Sequence, residues 1–185
     1  YTGQRFAAYG NEDDKSSAAG EKYSTYFGIP NWNYSFDSGN AHYLFVNSQA
    51  PASAASVDAD LAAAKTRGIK WLIVIVHIPM VTPPSKHPAQ DPTGLKTVFA
   101  KYPVDLVLQA HNHCYARSVR LKGTYWYLVG TGGRDFYTAK TNTSFKKIIN
   151  KTYGILDVTV GETSITTKFK SISNAILDTF IINKA

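Results

Sequence analysis

Two short apolar runs place the strongest constraint on how this chain can fold. Residues 70–77 read "KWLIVIVH" and residues 104–108 read "VDLVL", and both have the length and branched side chains of buried strands. Between them lie a proline-rich loop, residues 78–92, and the helix-forming segment "GLKTVFAKY", with Thr93 as its predicted N-cap. A strand, a helix and a second strand in this order predict a parallel β-α-β unit, because parallel neighbours need a crossover connection.

Histidines stand where both of these strands end. His77 closes the first run, and His111 and His113 follow the second run within "QAHNHCYARS" at residues 109–118. The carboxyl ends of parallel strands meet at one edge of a sheet, where functional loops gather. In extended backbone, His111 and His113 also point to the same side. We therefore predict a metal site or an acid–base pair at this edge rather than a chance cluster of surface histidines.

The rest of the sequence predicts further helices and strands around this unit. Residues 34–48 alternate around a run of turn residues and predict a hairpin, while residues 57–67 predict a helix with Ser56 as its N-cap. "YWYLV" at residues 125–129 predicts another strand, and three alternating runs after residue 152 predict a closing antiparallel meander. The predicted fold class is therefore mixed α/β.

Composition excludes several classes of protein. The chain has 185 residues, of which 44% are hydrophobic and 18% charged, as is typical of a globular domain. No apolar run reaches the ~18–20 residues of a membrane span. The net charge of +7 favours anionic partners, but the basic residues are scattered and lack interleaved aromatic side chains, so nucleic acid is not the expected partner.

Three sequences match the acceptor pattern for N-linked glycosylation. They begin at Asn33, Asn142 and Asn150. The single cysteine, Cys114, excludes an internal disulfide but does not distinguish between cell compartments. The glycosylation patterns favour a secreted or extracellular glycoprotein.

Four short motifs occur in a definite order along the chain. They are "GNED" at 10–13, "VIVH" at 74–77, "AHNHCYAR" at 110–117 and "GTGG" at 130–133. In sequence and order they resemble the motifs of the calcineurin-like metallophosphoesterases, and most closely those of the purple acid phosphatase branch. The resemblance covers essentially the whole chain. It implies part of a two-sheet β-sandwich flanked by helices.

The resemblance also implies ligands for two metal ions. Asn11, His77 and His111 match ligands of one ion, and His113 matches a ligand of the other. Zn, Mn or Fe, as divalent or trivalent ions, would suit these nitrogen and oxygen donors. The implied reaction is hydrolysis of a phosphomonoester, because a pair of such ions can bind the phosphate group and activate water.

Three further residues receive roles from the same resemblance. Tyr115 and Arg117 would orient the histidine loop or contact the substrate, and a salt bridge beneath the loop is the alternative for Arg117. His87 lies in the proline-rich loop that borders the substrate in this family, where it would contact the leaving group. His42, on the predicted hairpin, is expected to be a packed or half-exposed residue without a catalytic role.

Two departures from the family pattern limit these implications. Glu12 stands where the family has a catalytic histidine, and a carboxylate beside cations stays ionised and cannot donate a proton, although it can bind metal. The family's amino-terminal motifs, which supply the aspartate that bridges the two ions, are absent. Residues 1–185 are therefore expected to form the carboxy-terminal portion of a single metallophosphoesterase domain. They would lack its amino-terminal strands and supply about half of a dinuclear site.

Two function classes remain open. One is an acid-phosphatase-like enzyme that acts on phosphate esters, and the other is a non-catalytic relative that serves as an extracellular surface or assembly protein. In both cases we expect a partner, either the remainder of the precursor or a second copy, because half a domain exposes apolar strands. Only with the amino-terminal half present would the site hold two ions.

Overall fold

The chain forms two β-sheets, and a computed structural model describes residues 3–13, 25–28 and 32–184. Within these residues, the helices longer than one turn are α1 (Ala54–Thr66) and α2 (Leu95–Lys101). The strands, in chain order, are β1 (Tyr34–Ser38), β2 (Ala41–Val46), β3 (Trp71–Val76), β4 (Leu106–Gln109), β5 (Tyr115–Ser118), β6 (Tyr125–Val129), β7 (Phe145–Ile149), β8 (Gly154–Val160), β9 (Ser164–Ser171) and β10 (Ile176–Asn183).

Four parallel strands form the centre of the larger sheet. Its order is β1-β2-β3-β4-β6-β5-β7, and β2, β3, β4 and β6 run parallel. β1 pairs antiparallel with β2 at one edge, and β5 lies antiparallel between β6 and β7 at the other. The predicted parallel unit is confirmed, because β3 and β4 are neighbours joined through α2. The three remaining strands form a separate antiparallel sheet in the order β10-β9-β8, as predicted for the closing meander.

β3 is buried on both faces, which explains its unbroken apolar sequence. Leu72 and Val74 belong to a core that they share with the apolar sides of α1 and α2. Trp71 and Ile73 point the other way, into a second core with Ile165 of the small sheet. The helices therefore cover one face of the large sheet and the small sheet covers the other. The mixed α/β class and the two-sheet arrangement are confirmed.

Both helices begin differently from the sequence prediction. α1 starts three residues early, because Ser53 rather than Ser56 is the N-cap and its hydroxyl accepts a hydrogen bond from the Ser56 amide at 3.1 Å. At α2 the buried Thr93 hydroxyl has no hydrogen-bond partner in the described part of the chain. The Asp91 carboxylate accepts instead from the backbone amide of Leu95 at 2.8 Å. In each case an earlier side chain reaches the free amides of the first turn.

Neither β5 nor β7 is predicted by the sequence pattern. β5 reads "YARS" and carries a charged residue at a buried position, while β7 reads "FKKII" inside a long polar segment. Both strands lie at the antiparallel edge of the large sheet. No helix in the described ranges, 3–13, 25–28 and 32–184, is long and apolar enough to cross a membrane.

His42 is buried in a charged cluster between β2 and α1. Its Nδ1 lies 2.6 Å from Asp37 Oδ1, and its Nε2 lies 2.8 Å from Asp60 Oδ2. A carboxylate can only accept, so both ring nitrogens donate and the ring is an imidazolium. Arg67 donates to Asp37 from its other side at 2.7 Å. Burial lowers the pKa of His42, but the hydrogen bonds to Asp60 and Asp37 outweigh burial and hold that pKa above its ordinary value.

We expect the stabilising effect of His42 to decrease as pH rises. A folded pKa above the unfolded one means that the folded chain binds more protons, so the effect is complete below about pH 6.5 and is lost above the raised pKa. Urea unfolding of the wild type and of His42→Gln at a series of pH values measures this. The difference between the two free energies of unfolding should shrink from about pH 6 to about pH 9. A difference that stays constant over this range would contradict the imidazolium assignment.

Candidate functional site

Three donor atoms meet at the carboxyl ends of β3 and β4. His77 Nε2 and His111 Nδ1 are 3.2 Å apart, and each lies 2.9 Å from Asn11 Oδ1. Asn11 comes from a turn near the start of the chain, whereas His77 follows β3 and His111 follows β4. Each of the three atoms can offer a lone pair, and they form a nearly equilateral triangle. The structure therefore brings together three of the four residues assigned as ligands.

The size of this triangle fits one metal ion. Ligand atoms ~2.1 Å from a divalent ion lie about 3.0 Å apart in octahedral and about 3.4 Å apart in tetrahedral coordination. The observed separations of 2.9–3.2 Å fall close to this range. In the part of the chain that the structure describes, no three His, Cys, Asp or Glu side chains form a metal-sized group. The third donor of this set is therefore the amide oxygen of Asn11.

The turn that carries Asn11 is held close to His77. Asn11 Nδ2 donates to Glu12 Oε1 at 2.9 Å, and this bond turns Asn11 Oδ1 toward the imidazoles. The Gly10 amide donates to Asp13 Oδ2 at 2.9 Å and closes the turn. A Cβ atom on Gly10 would lie 2.8 Å from His77 Nδ1, so only glycine allows this approach without moving the ring. Glu12 therefore orients a proposed ligand in this structure.

His113 lies beside the triangle, and a backbone carbonyl orients its ring. His113 Nδ1 is 2.6 Å from the carbonyl oxygen of Asp135. Since a carbonyl accepts, Nδ1 carries the proton and Nε2 keeps its lone pair, which is the arrangement usual for metal-binding histidines. The ring also stacks on Tyr137 with centroids 4.0 Å apart.

The glycine motif after β6 acts through Gly130. A Cβ atom there would lie 2.2 Å from the carbonyl oxygen of Asn112, in the histidine loop. A Cβ atom on Gly132 would meet no described atom within 4 Å, and Gly133 has a φ of +134°. Gly130 therefore allows the two backbones to approach closely, and Gly133 allows the turn that follows.

His87 lies against His111, and Asn112 holds it there. The two rings have centroids 4.2 Å apart. Asn112 is fully buried, and its Oδ1 accepts from the His87 amide at 2.9 Å while its Nδ2 donates to the His87 carbonyl at 2.8 Å. This pair of bonds ties the proline-rich loop to the histidine loop. Asn112 was not selected from the sequence, where only its position between two histidines distinguishes it.

Burial and nearby charges favour the neutral form of three histidines at the site, His77, His87 and His111. Burial, followed by the charges of His87, His77 and His113, lowers the pKa of His111 to about 4, although Glu12 opposes the shift. Burial and the charge of His113 also lower the pKa of His77. For His87, burial and the neighbouring Lys86 have the same effect. Neutral imidazole is the form that binds metal ions.

Tyr115 and Arg117 lie between the sheets and do not face a substrate. Arg117 Nε donates to Asp178 Oδ2 at 2.7 Å, its Nη2 donates to Asp178 Oδ1 at 3.0 Å, and the Tyr115 hydroxyl donates to Asp178 Oδ2 at 2.7 Å. The Arg117 guanidinium also lies 4.3 Å from the centre of the Phe180 ring. Both side chains are buried. Arg117 therefore forms the salt bridge that was its alternative role.

The three glycosylation candidates differ in how their amides are used. The Asn33 side chain donates to the Ala50 carbonyl at 2.9 Å. Likewise, the Asn150 side chain donates to the Ala139 carbonyl at 3.1 Å. Asn142 is exposed, and among the described residues its side chain makes one hydrogen bond, as an acceptor from the Ser144 amide at 3.1 Å. Asn142 therefore offers the most accessible amide nitrogen of the three.

Comparison with solved structures finds the same fold in several known proteins. A purple acid phosphatase isolated from yellow lupin (Lupinus luteus) seeds matches 97% of this chain with a TM-score of 0.79 and 19% identity. GAP50, described as the anchor in the inner membrane complex of Plasmodium, matches 85% with a TM-score of 0.68 and 16% identity. A dimetal phosphatase from Danio rerio matches 95% with a TM-score of 0.55 and 11% identity.

The match covers only part of each of these structures. The chain spans 39% of the lupin enzyme, 56% of GAP50 and 65% of the Danio rerio phosphatase. No protein-family model matches the sequence, and comparison with curated proteins gives no match. The likeness is therefore one of three-dimensional structure, and this chain has the fold of the calcineurin-like metallophosphoesterases, as purple acid phosphatases do.

Proposed function

We propose that this chain forms the carboxy-terminal portion of a metal-dependent phosphatase domain that hydrolyses phosphomonoesters. The triangle formed by Asn11, His77 and His111 carries the proposal, because it places three metal-binding atoms at the carboxyl edge of a parallel sheet. That edge is where α/β sheets bind their ligands. The fold, shared with a purple acid phosphatase and a dimetal phosphatase, supports the same reaction class.

The proposed site holds one ion fully and a second ion in part. Asn11, His77 and His111 would bind a Zn, Mn or Fe ion, and His113 would offer Nε2 to a second one. When bound, such ions polarise the phosphate group and activate water. The second ion lacks further ligands among the described residues, so it depends on the amino-terminal half of the domain.

Other residues of the chain shape the entrance of this site. Lys86 Nζ lies 3.4 Å from the Tyr137 hydroxyl and 4.4 Å from the centre of the Tyr137 ring, which itself stacks on His113. The ammonium group therefore sits at the rim, where it can attract an anionic substrate. The His87 ring, held by Asn112, forms a second wall and can contact a leaving group. Glu12 orients Asn11 and cannot act as a proton donor while ionised.

An apolar groove supports the proposal that a further segment covers the sheet. A cavity of about 340 Å³ lies between the large sheet and β8, which is an edge strand of the small sheet. Aromatic side chains of β1 and β2 and apolar side chains of β3 and β4 line it, and Phe6 is 45% exposed beside it. We propose that the remainder of the precursor fills this groove by pairing with β8, with a second copy as the alternative occupant.

A non-catalytic role is the second candidate. GAP50, described as an anchor, shares this fold, and Glu12 replaces the histidine expected at that position. Such a protein would keep the sheet and its partner surface while losing hydrolysis.

The test is release of phosphate from an aryl phosphate with added Zn, Mn or Fe. Residues 1–185 alone should hydrolyse it little faster than buffer with the same metal, because the second ion has only His113. The chain extended by its upstream coding sequence should be active, and His111→Ala should abolish that activity. If the extended chain is inactive, Glu12→His should restore activity. Inactivity of both extended forms would support the non-catalytic candidate.

Rapid turnover by residues 1–185 alone would contradict this ligand count. If that turnover disappeared in His111→Ala, the chain would build a complete site from residues not assigned here.

We also propose that the protein is a secreted glycoprotein with its glycan on Asn142. Expression in a secreting eukaryotic host should give a mass that falls on treatment with an N-glycosidase. Asn142→Gln should remove this shift, because the Asn142 amide is exposed and makes no bond as a donor in the structure. Asn33→Gln and Asn150→Gln serve as matched controls and should leave it unchanged. A shift that persists in Asn142→Gln would contradict the assignment.

A further inference from the structure

A second cleft lies on the helix side of the large sheet and shares no residue with the histidine site. It has a volume of about 330 Å³ and lies between α2 and the turn that joins β5 to β6. This volume is at the lower end of the ~300–1,000 Å³ typical of small-molecule sites. Its apolar lining comes from Val81, Ala100, Leu121 and Trp126. Trp126 is only 4% exposed, so it forms the floor of the cleft, and the other three residues form its apolar walls.

Three cations surround this apolar lining. They are Lys96 on α2 and Arg120 and Lys122 on the β5–β6 turn. Arg120 Nε donates to the Gly123 carbonyl at 3.0 Å, and its guanidinium carbon lies 6.0 Å from the centre of the Tyr125 ring. None of the three forms a salt bridge with a carboxylate within the described ranges. No carboxylate among the described residues therefore neutralises these three positive charges of the cleft.

The turn that carries two of these cations is firmly closed. The Leu121 amide donates to the Thr124 carbonyl at 2.9 Å, and the Thr124 amide donates back to the Leu121 carbonyl at 3.0 Å. Lys122 has a φ of +48°, which the tight turn imposes. A closed turn keeps the backbone of Arg120 and Lys122 at one side of the cleft. Ligand binding therefore does not carry the entropic cost of ordering a flexible loop.

We propose that this cleft binds a small organic anion with an aromatic body and a carboxylate, sulfonate or phosphate group. The aromatic body would pack against Leu121 and Ala100 above the edge of Trp126, and the anionic group would face Lys96, Arg120 and Lys122 at the rim. The apolar lining and the unpaired cations together select this chemistry, because a neutral apolar molecule leaves the cations unused. Nucleic acid would need an extended basic surface, whereas these cations converge on a single cleft.

The probe is 8-anilinonaphthalene-1-sulfonate, and the readout is the indole N–H signal of Trp126 in an amide correlation spectrum. The chain has three tryptophans, so this signal can be assigned with a Trp126→Phe variant. The signal should shift saturably with the sulfonate. N-phenyl-1-naphthylamine, the matched neutral molecule, should bind about tenfold more weakly, since it lacks the charge that the cations attract. The apolar groove beside β8 can also take up the probe, but it does not contact Trp126.

Two kinds of variant separate charge from shape. Arg120→Ala/Lys122→Ala should weaken the sulfonate about tenfold, as loss of two exposed charge interactions allows. Ala100→Phe should fill the cleft and abolish the shift. Lys65→Ala/Lys168→Ala removes two lysines outside the cleft and should leave the affinity unchanged. An unshifted Trp126 signal, or equal affinities for the neutral and anionic probes, would overturn the proposal. Equal weakening by both double variants would show attraction by net charge alone, and would overturn it too.

Discussion

Replacing Arg117 with alanine should lower the free energy of unfolding by about 3–5 kcal/mol. The Arg117 and Asp178 side chains are only 9% and 8% exposed, so the substitution leaves a carboxylate buried without its cation. The cationic contact with Phe180 is lost as well. A loss of this size is a large share of the ~5–15 kcal/mol that stabilises a typical domain. Urea unfolding monitored by tryptophan fluorescence measures it.

Two comparisons separate the buried pair from ordinary surface charge. Lys70→Ala removes a salt bridge to Glu162 in which the side chains are 50% and 76% exposed, and it should change stability by less than about 1 kcal/mol. Arg117→Met/Asp178→Leu leaves no charge buried and should recover much of the loss. If Arg117→Ala were no more destabilising than Lys70→Ala, burial of the pair would not be the source of its effect.

Replacing His111 with alanine should lower zinc affinity by at least about 100-fold. Removing a residue that merely supports a ligand costs about 10–100-fold, and His111 is proposed to bind the ion directly. Only His77 and the weak amide donor Asn11 would remain. Isothermal titration of purified residues 1–185 with a zinc salt measures the affinity. This test does not require the chain to be catalytically active.

The controls for this experiment address the backbone and the other histidines. His111 has a φ of +64°, where alanine is strained and glycine is not. His111→Gly should therefore lose as much affinity as His111→Ala, which would assign the loss to the missing ring. His42→Gln, at the charged cluster beside α1, should bind zinc as the wild type does. Unchanged affinity in both His111 variants would exclude the proposed ligand set.

The central strands of the fold could be predicted from the sequence because apolar side chains cover both of their faces. β3 is covered on both faces, so its apolar run carries the prediction without any need for tertiary information. The convergence of His77 and His111 followed from the same fact, since parallel strands end at one edge. β5 could not be predicted, because its charged Arg117 is tolerated only with Asp178, and those residues are 61 positions apart in sequence.

Local signals at the site were harder to interpret. The buried Asn112 side chain binds the backbone of His87, and the backbone carbonyl of Asp135 orients His113. Residue type alone predicts neither contact. Glu12 was assessed for proton transfer, yet in the structure it orients the Asn11 amide. For the helices, several residues near each start can cap, and the choice depends on the path by which the chain enters the helix.

The position of β6 beside β4 determines when the site can form during folding. β5 and β6 are joined by a short turn, so this hairpin can close early, on the ~1–10 μs scale of local pairing. Its docking onto β4 is a slower, long-range step. Because β6 lies between β4 and β5 in the sheet, the segment that joins β4 to β5 has to cross the end of β6. At this crossing, Gly130 packs against the Asn112 carbonyl, and its amide donates to the Cys114 carbonyl. His111 and His113 lie on that crossing. We therefore expect them to reach their final positions only after the hairpin has docked, so that the histidine cluster forms late in folding.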